Sequence, residues 1–212
     1  MAMVERFDFG PVHIEPDLIL RLQKYRRLEA VPPTVREVAR RMAAMAETLV
    51  EPQGWTWRGA VSRVAPEGAV VLGDRMQFQS RVLARALAEA AEAAIVVLTI
   101  GPHLERRAHE LVGEENFVEG LLLDTAGWAA VDALVKQSRA RLAEDAKAQG
   151  FRLTGRLAPG FADWGLEQQQ VLFSAFNGTA IAVNLTDAQV MLPRKSVSGL
   201  YGFVPRRAPQ PA

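Results

Sequence analysis

The stretch Arg156-Leu-Ala-Pro-Gly-Phe161 joins a short segment with strand character, residues 151–154, to one with helix character, residues 166–176. Pro159 limits the freedom of this connection, and Gly160, having no side chain, lets another backbone or a ligand come close. Arg156 offers a planar fork suited to a carboxylate. Taken alone, these residues describe a structural turn beside a surface arginine more readily than a binding loop. Downstream, Leu185-Thr-Asp-Ala-Gln-Val-Met-Leu-Pro-Arg-Lys-Ser-Val-Ser-Gly-Leu-Tyr201 follows a predicted strand at 179–185. Thr186 and Gln189 have capping-box spacing, and residues 196–204 read as a last strand.

Working outward toward the N-terminus, residues 116–148 are rich in alanine and leucine, which predicts one long helix or two broken near Gly127, ended by Gly150. Ile95–Ile100 is an apolar run with the character of a buried strand, stopped by Gly101 and Pro102, with Pro102 suited to the first turn of a following helix. Ser80 is placed to cap a helix carrying Val82, Leu83, Ala86, Leu87 and Ala90. Residues 55–64 and 69–72, separated by Pro66-Glu67-Gly68, read as a β-hairpin. Thr34 and Glu37 have the spacing of a capping box, ahead of a helix reaching about Leu49 with Val38, Met42, Met45 and Leu49 on one face. Leu18, Leu20, Leu22 and Leu28 are compatible with a short helix over 16–28, and the basic run 24–27 reads as its solvated end. Helices and strands mix without the regular alternation of a parallel sheet, which predicts the α+β class, helices packed on a mainly antiparallel sheet.

The 212 residues are 49% hydrophobic and 23% charged, the balance of a globular protein. The apolar run 93–101 is about half of the roughly 20 residues that a membrane-spanning helix needs, and the first residues carry Glu5, Arg6 and Asp8. A cytoplasmic location is the expectation. With no cysteine, disulfides, thiolate metal sites and cysteine nucleophiles are excluded. A net charge of +1, with both signs mixed, gives no strong drive toward nucleic acid or anionic membrane. His13, His103 and His109 stand at no metal-binding spacing. Phosphate-binding glycine loops, Gly-x-Gly-x-x-Gly, Gly-x-Ser-x-Gly and His-Glu-x-x-His are all absent, which leaves self-contained hydrolysis or hydride transfer without support.

The succession of an Arg-x-Ala-Pro-Gly-aromatic loop, a helix, a Leu-Thr-acidic turn, Met-x-Pro and Ser-Val-Ser-Gly-x-Tyr resembles the S-adenosylmethionine-binding activation domain of vitamin B12-dependent methionine synthase. The likeness covers about residues 151–204. Ala162-Asp-Trp-Gly-Leu-Glu-Gln168 is similar to the short, stand-alone relatives of that domain, as, more loosely, are Leu98-Thr-Ile-Gly101 and Leu123-Asp-x-x-Gly127 with Asp132 nearby. The resemblance implies one activation-domain-like unit over 1–204, with a helical part at 1–50, the motif-bearing part at 151–204 and a disordered tail at 205–212. It implies contacts to S-adenosylmethionine from Arg156, Ala158, Gly160, Phe161 and Tyr201. The arginine would pair with the ligand carboxylate, and an aromatic face would stand near the sulfonium.

The chain departs from the family at Phe161, where the long enzyme has tyrosine, and at Asp163-Trp-Gly165, which replaces a cysteine-containing continuation. The acidic and aromatic segment that opens the family's domain has no counterpart. The Asp-x-His-x-x-Gly run of the B12-binding module is absent as well, so cobalamin would come from a partner. The expectation is an accessory protein that supports reductive methylation of cobalamin on a separate corrinoid protein or B12-dependent methyltransferase, as a component of methionine synthase, with an electron-donor protein as a further partner. The alternative is a non-catalytic module that keeps the fold and binds a partner or another small molecule.

Overall fold

The computed structural model describes residues 3–206. Its elements are β1 (Met3–Arg6), α1 (Pro16–Leu22), α2 (Pro33–Leu49), β2 (Gln53–Val64), β3 (Ala69–Leu72), β4 (Met76–Gln79), α3 (Arg81–Leu87), β5 (Glu92–Thr99), α4 (His103–Gly113), α5 (Phe117–Ala148), β6 (Phe151–Leu153), α6 (Gln169–Phe173), β7 (Asn184–Leu185), β8 (Met191–Leu192) and β9 (Ser196–Pro205). The main sheet runs β4-β3-β2-β5-β9-β6, with β1 added along the first half of β2, and every pairing is antiparallel. The class is α+β, as the sequence pattern predicts.

β5 lies at the centre because both of its faces are apolar. Ala94, Val96 and Leu98 pack toward α1, α2, α4 and α5, while Ala93, Ile95 and Val97 pack toward α3 and the segment carrying Trp164, Leu172, Phe176 and Val183. A strand buried on both sides needs an unbroken apolar run instead of alternation, which is the pattern at 93–98. β9 pairs with β5 over eight residues, from Glu92↔Phe203 to Thr99↔Ser196, and so becomes the second interior strand. No helix among the described residues is long and apolar enough to cross a membrane.

Several local expectations are met. The hairpin of β2 and β3 closes at Pro66-Glu67-Gly68, where the Gly68 amide donates to the Ala65 carbonyl. Ser80 caps α3, its hydroxyl accepting from the Leu83 amide at 3.1 Å. Gly150 ends α5 with φ +78°. Other expectations are corrected. α2 begins at Pro33 with Pro32 as its cap residue and no side-chain cap, so Thr34 stands inside the first turn and forms no capping box with Glu37; the fixed φ of proline suits Pro33 to the first helical position. α1 stops at Leu22 because Lys24 takes φ +68°, letting the Tyr25 amide return to the Leu20 carbonyl. The predicted helix at 166–176 is a helical turn of α6 between two 3-10 turns. Of the predicted strand at 179–185, only Asn184–Leu185 is strand, because Ile181 and Val183 pack flat against the sheet layer. Thr186 and Gln189 form the tip of the β7–β8 hairpin instead of a helix start. There the Thr186 hydroxyl accepts from the Val190 amide. The last strand continues through Pro205, and the Arg206 amide donates to the Gly150 carbonyl; the remainder of the expected tail lies outside the described residues.

α5 is a single helix of 32 residues, unbroken at Gly127. Its glycines serve close packing. A Cβ at Gly120 would stand 2.7 Å from Val112 Cγ2 and 3.0 Å from the Ala108 carbonyl oxygen, both in α4. A Cβ at Gly127 would meet Leu104 at 2.7 Å and the stem of Lys195 at 3.2 Å. Gly120→Val is therefore expected to lower stability by about 1–3 kcal/mol, despite the better helix propensity of a non-glycine residue, because backbone of α4 has to move. Urea denaturation followed by circular dichroism measures it.

Candidate functional site

The loop at 156–161 is fixed from three directions. At its start, Leu157 forms a bridge with Leu200 of β9, each amide donating to the other's carbonyl at 3.0 and 2.8 Å. The Arg156 stem crosses β9 over Gly199, where an added Cβ would stand 2.8 Å from Arg156 Cγ, and its Nη1 donates to the Ser198 carbonyl at 2.6 Å. Within the loop, the Gly160 amide donates to the Trp164 carbonyl at 2.7 Å and the Phe161 amide to the Ala158 carbonyl at 3.2 Å. Gly160 has φ +86°, so this position needs glycine for its backbone conformation; a Cβ there would make only ordinary contact with Leu166, at 3.6 Å.

Beyond the loop, Asp163 is the latch. Its carboxylate accepts from the Ser80 hydroxyl at 2.8 Å, the Arg81 amide at 2.7 Å and the Val82 amide at 3.1 Å, which secures it to the start of α3. These hydrogen bonds, the one from the Val82 amide foremost, hold its carboxyl below the ordinary carboxylate value. Gln168 adds a reciprocal pair with the Gln79 backbone, at 2.7 and 2.9 Å. Trp164 between them is buried and meets Phe78 edge to face with ring centroids 5.5 Å apart.

Arg156 and Tyr201 therefore come to one side of β9. Tyr201 is fully buried among the residues facing the helices, and no hydrogen-bond partner of its hydroxyl is present among the described residues. Burial pushes that hydroxyl up from its ordinary value, while the charges of Arg156 and Arg139 pull it down. Ala158 is half-buried, Gly160 is exposed, and Phe161 projects into solvent at 60% exposure. Tyr201 is thus a support behind the loop, whereas Arg156, Ala158, Gly160 and Phe161 form its accessible side.

A cavity of about 810 Å³ opens next to the loop, bordered by α4, the first half of α5, Pro159 and Leu166, and residues 189–196. Its size falls in the range of small-molecule sites. Val112, Phe117, Leu121, Trp128, Leu166 and Val190 border it, and these are six of the twelve exposed large apolar side chains among the described residues. Apolar exposure is concentrated here and not scattered, the pattern of a binding surface. At its inner wall the Lys195 side chain, 5% exposed, places Nζ 2.7 Å from Asp124 Oδ1 and 4.4 Å from the centroid of the Trp128 ring. Of the loop, only Pro159 reaches the cavity wall; Arg156, Ala158, Gly160, Phe161 and Tyr201, the five residues expected from sequence, do not line it. Trp128, Lys195 and Asp124 are not among those five, although Asp124 lies in the quoted Leu123-Asp-x-x-Gly127 run and Lys195 in the quoted 185–201 stretch; Phe117, Leu121 and Trp128 recur at helical spacing and give α5 a second apolar stripe beside its core-facing one.

No family model matches the chain, and no curated protein matches it. Among solved structures, a crystal structure of the MetH reactivation domain bound to AdoHcy is similar, with TM-score 0.66 and 13% identity over 97% of this chain and 80% of that one. The two share a fold. Helices on a mostly antiparallel sheet are common to both, and the architecture expected from the sequence resemblance is present.

Two outcomes follow from this geometry. Asp163 stabilises the folded chain while it is ionised, so its contribution is present above the unfolded carboxylate value of about 3.9 and is lost as the pH falls through the lower native value. Thermal midpoints of the natural chain and Asp163→Asn should differ at pH 6 and converge on acidification. Asp124→Ala strands a buried ammonium and is expected to cost about 1–3 kcal/mol, whereas Lys195→Met keeps the stem's packing, leaves a carboxylate that water reaches, and is expected to cost less than about 1 kcal/mol. Urea midpoints of the two variants give the comparison.

Proposed function

We propose that this chain binds S-adenosylmethionine and its demethylated product AdoHcy at the 156–161 loop, and so supports remethylation of a corrinoid carried by a separate protein. The observation that carries this reading is the Leu157–Leu200 bridge, through which the Arg-x-Ala-Pro-Gly loop and the Ser-Val-Ser-Gly-x-Tyr strand, distant in sequence, become one unit. The MetH reactivation domain that shares the fold binds AdoHcy, which supports the same ligand class here.

The residues suit such a ligand. Arg156 uses one nitrogen on the Ser198 carbonyl, which fixes the guanidinium and leaves its remaining donors for a carboxylate. The exposed backbone at Gly160 allows close approach, and the largely exposed Phe161 ring can cover a sulfonium. The chain's own part is positioning: it holds the methyl group toward a partner that supplies reduced cobalt as the nucleophile, with electrons from a donor protein. Methyl transfer would break the sulfonium carbon–sulfur bond, form a carbon–cobalt bond on the partner's corrinoid and leave AdoHcy on the loop.

Calorimetric titration with S-adenosylmethionine and with AdoHcy tests the reading. Saturable binding is expected, weakened about 10- to 150-fold in Arg156→Ala, the equivalent of a hydrogen bond to a charged group. Absence of heat at millimolar ligand, or equal affinity in the variant, would overturn it. In that case a non-catalytic module that binds a partner through its exposed apolar rim would be the better account.

A further inference from the structure

The cavity beyond Pro159 contains a second feature that the loop does not explain. Of the chain's four tryptophans, Trp55, Trp57 and Trp164 are buried, at 5%, 5% and 1% exposure, while Trp128 is 46% exposed and borders the cavity. Phe117 and Leu121, on preceding turns of α5, continue the same open stripe at 62% and 53% exposure. The Trp128 ring is also held. The Lys195 ammonium sits on it at 4.4 Å and is itself tied to Asp124, one turn earlier on α5, at 2.7 Å. The stem of Lys195 lies against Gly127, where no side chain intervenes. A buried charged side chain thus orients an exposed aromatic one at a cavity wall, which is preorganisation of a flat surface.

We propose that Trp128 is the stacking wall for the base of the nucleoside ligand, with Leu121 and Leu166 as apolar neighbours. The inference rests on the reading that the ligand is an adenosyl sulfonium or thioether. If Arg156 and the loop backbone take its amino-acid end, the cavity that begins at Pro159 is the volume adjoining that end, and adenosine is the remaining part of the ligand. A purine presents a π face of the kind that stacks on aromatic side chains whatever its edge carries. Trp128 accordingly contributes affinity for the base and little selectivity among purines, while Arg156 selects the amino-acid end.

The test uses the full chain and three probes, AdoHcy, adenosine and homocysteine. Because Trp128 is the exposed tryptophan, AdoHcy and, at higher concentration, adenosine are expected to quench emission from the solvent-exposed indole, while homocysteine leaves it unchanged. Trp128→Ala should weaken AdoHcy binding about 5- to 150-fold, the range of one base–aromatic stack. Trp128→Phe should keep affinity within about threefold while losing the quench, and both variants should keep the natural far-UV circular dichroism. AdoHcy binding that depends on Arg156 but is unchanged in Trp128→Ala overturns the stacking wall and leaves the ligand reading standing. Absence of AdoHcy binding to the natural chain overturns both.

Discussion

Burial of β5 on both faces is the constraint from which the rest of the architecture follows. A strand with no water on either side requires two covering layers, so helices must occupy one face and α3 with the 160–183 segment the other. Its backbone groups must also be paired along both edges, since unpaired amides there would have no solvent to turn to. β2 fills one edge and β9 the other. Once β9 is interior, its own outer edge needs partners, and β6 followed by the Leu157 bridge supplies them.

That second requirement shapes the loop at 156–161. The chain leaves β6, crosses the end of the sheet with Arg156 lying over Gly199, and turns at Gly160 toward the opposite layer, where Asp163 and Gln168 fasten it to the β4–α3 junction. The loop is thus tied at one end to the central sheet and at the other to the layer beneath it. A segment held in this way keeps its backbone and the Arg156 guanidinium in one arrangement, with the Leu157, Gly160 and Phe161 amides all spent on internal hydrogen bonds. The cavity wall opposite is held by a different device, the Lys195 ammonium shared between Asp124 and the Trp128 ring.

Much of the fold was legible because the signals were local. The apolar run of β5, the Pro66-Glu67-Gly68 turn, the Ser80 cap and the alanine-rich α5 each depend on residues within a few positions of one another. The misreadings share one cause. Thr34 with Glu37 and Thr186 with Gln189 have the spacing of a capping box, but Pro33 starts α2 without a side-chain cap, and in the second case a hairpin closes first. Residues 179–183 have strand character, yet Ile181 and Val183 are recruited to cover the sheet, so the backbone there follows the packing instead of a ladder. Tyr201 was legible as a strand aromatic, but which face it would turn to was not, because that depends on the register of β9 against β5.

The sequence by itself determined the class of the fold, the order of its major elements and the two motifs that carry the family resemblance, since periodicity, punctuation by proline and glycine, and residue type are properties of short stretches. Only the tertiary structure decided that Arg156 passes over Gly199, that Asp163 latches the loop to α3, and that Lys195 meets Asp124 and Trp128 on α5. Those pairs are separated by 43, 82 and about 70 positions, and what brings them together is the pairing of β9 and the packing of α5, which no stretch of the chain specifies alone.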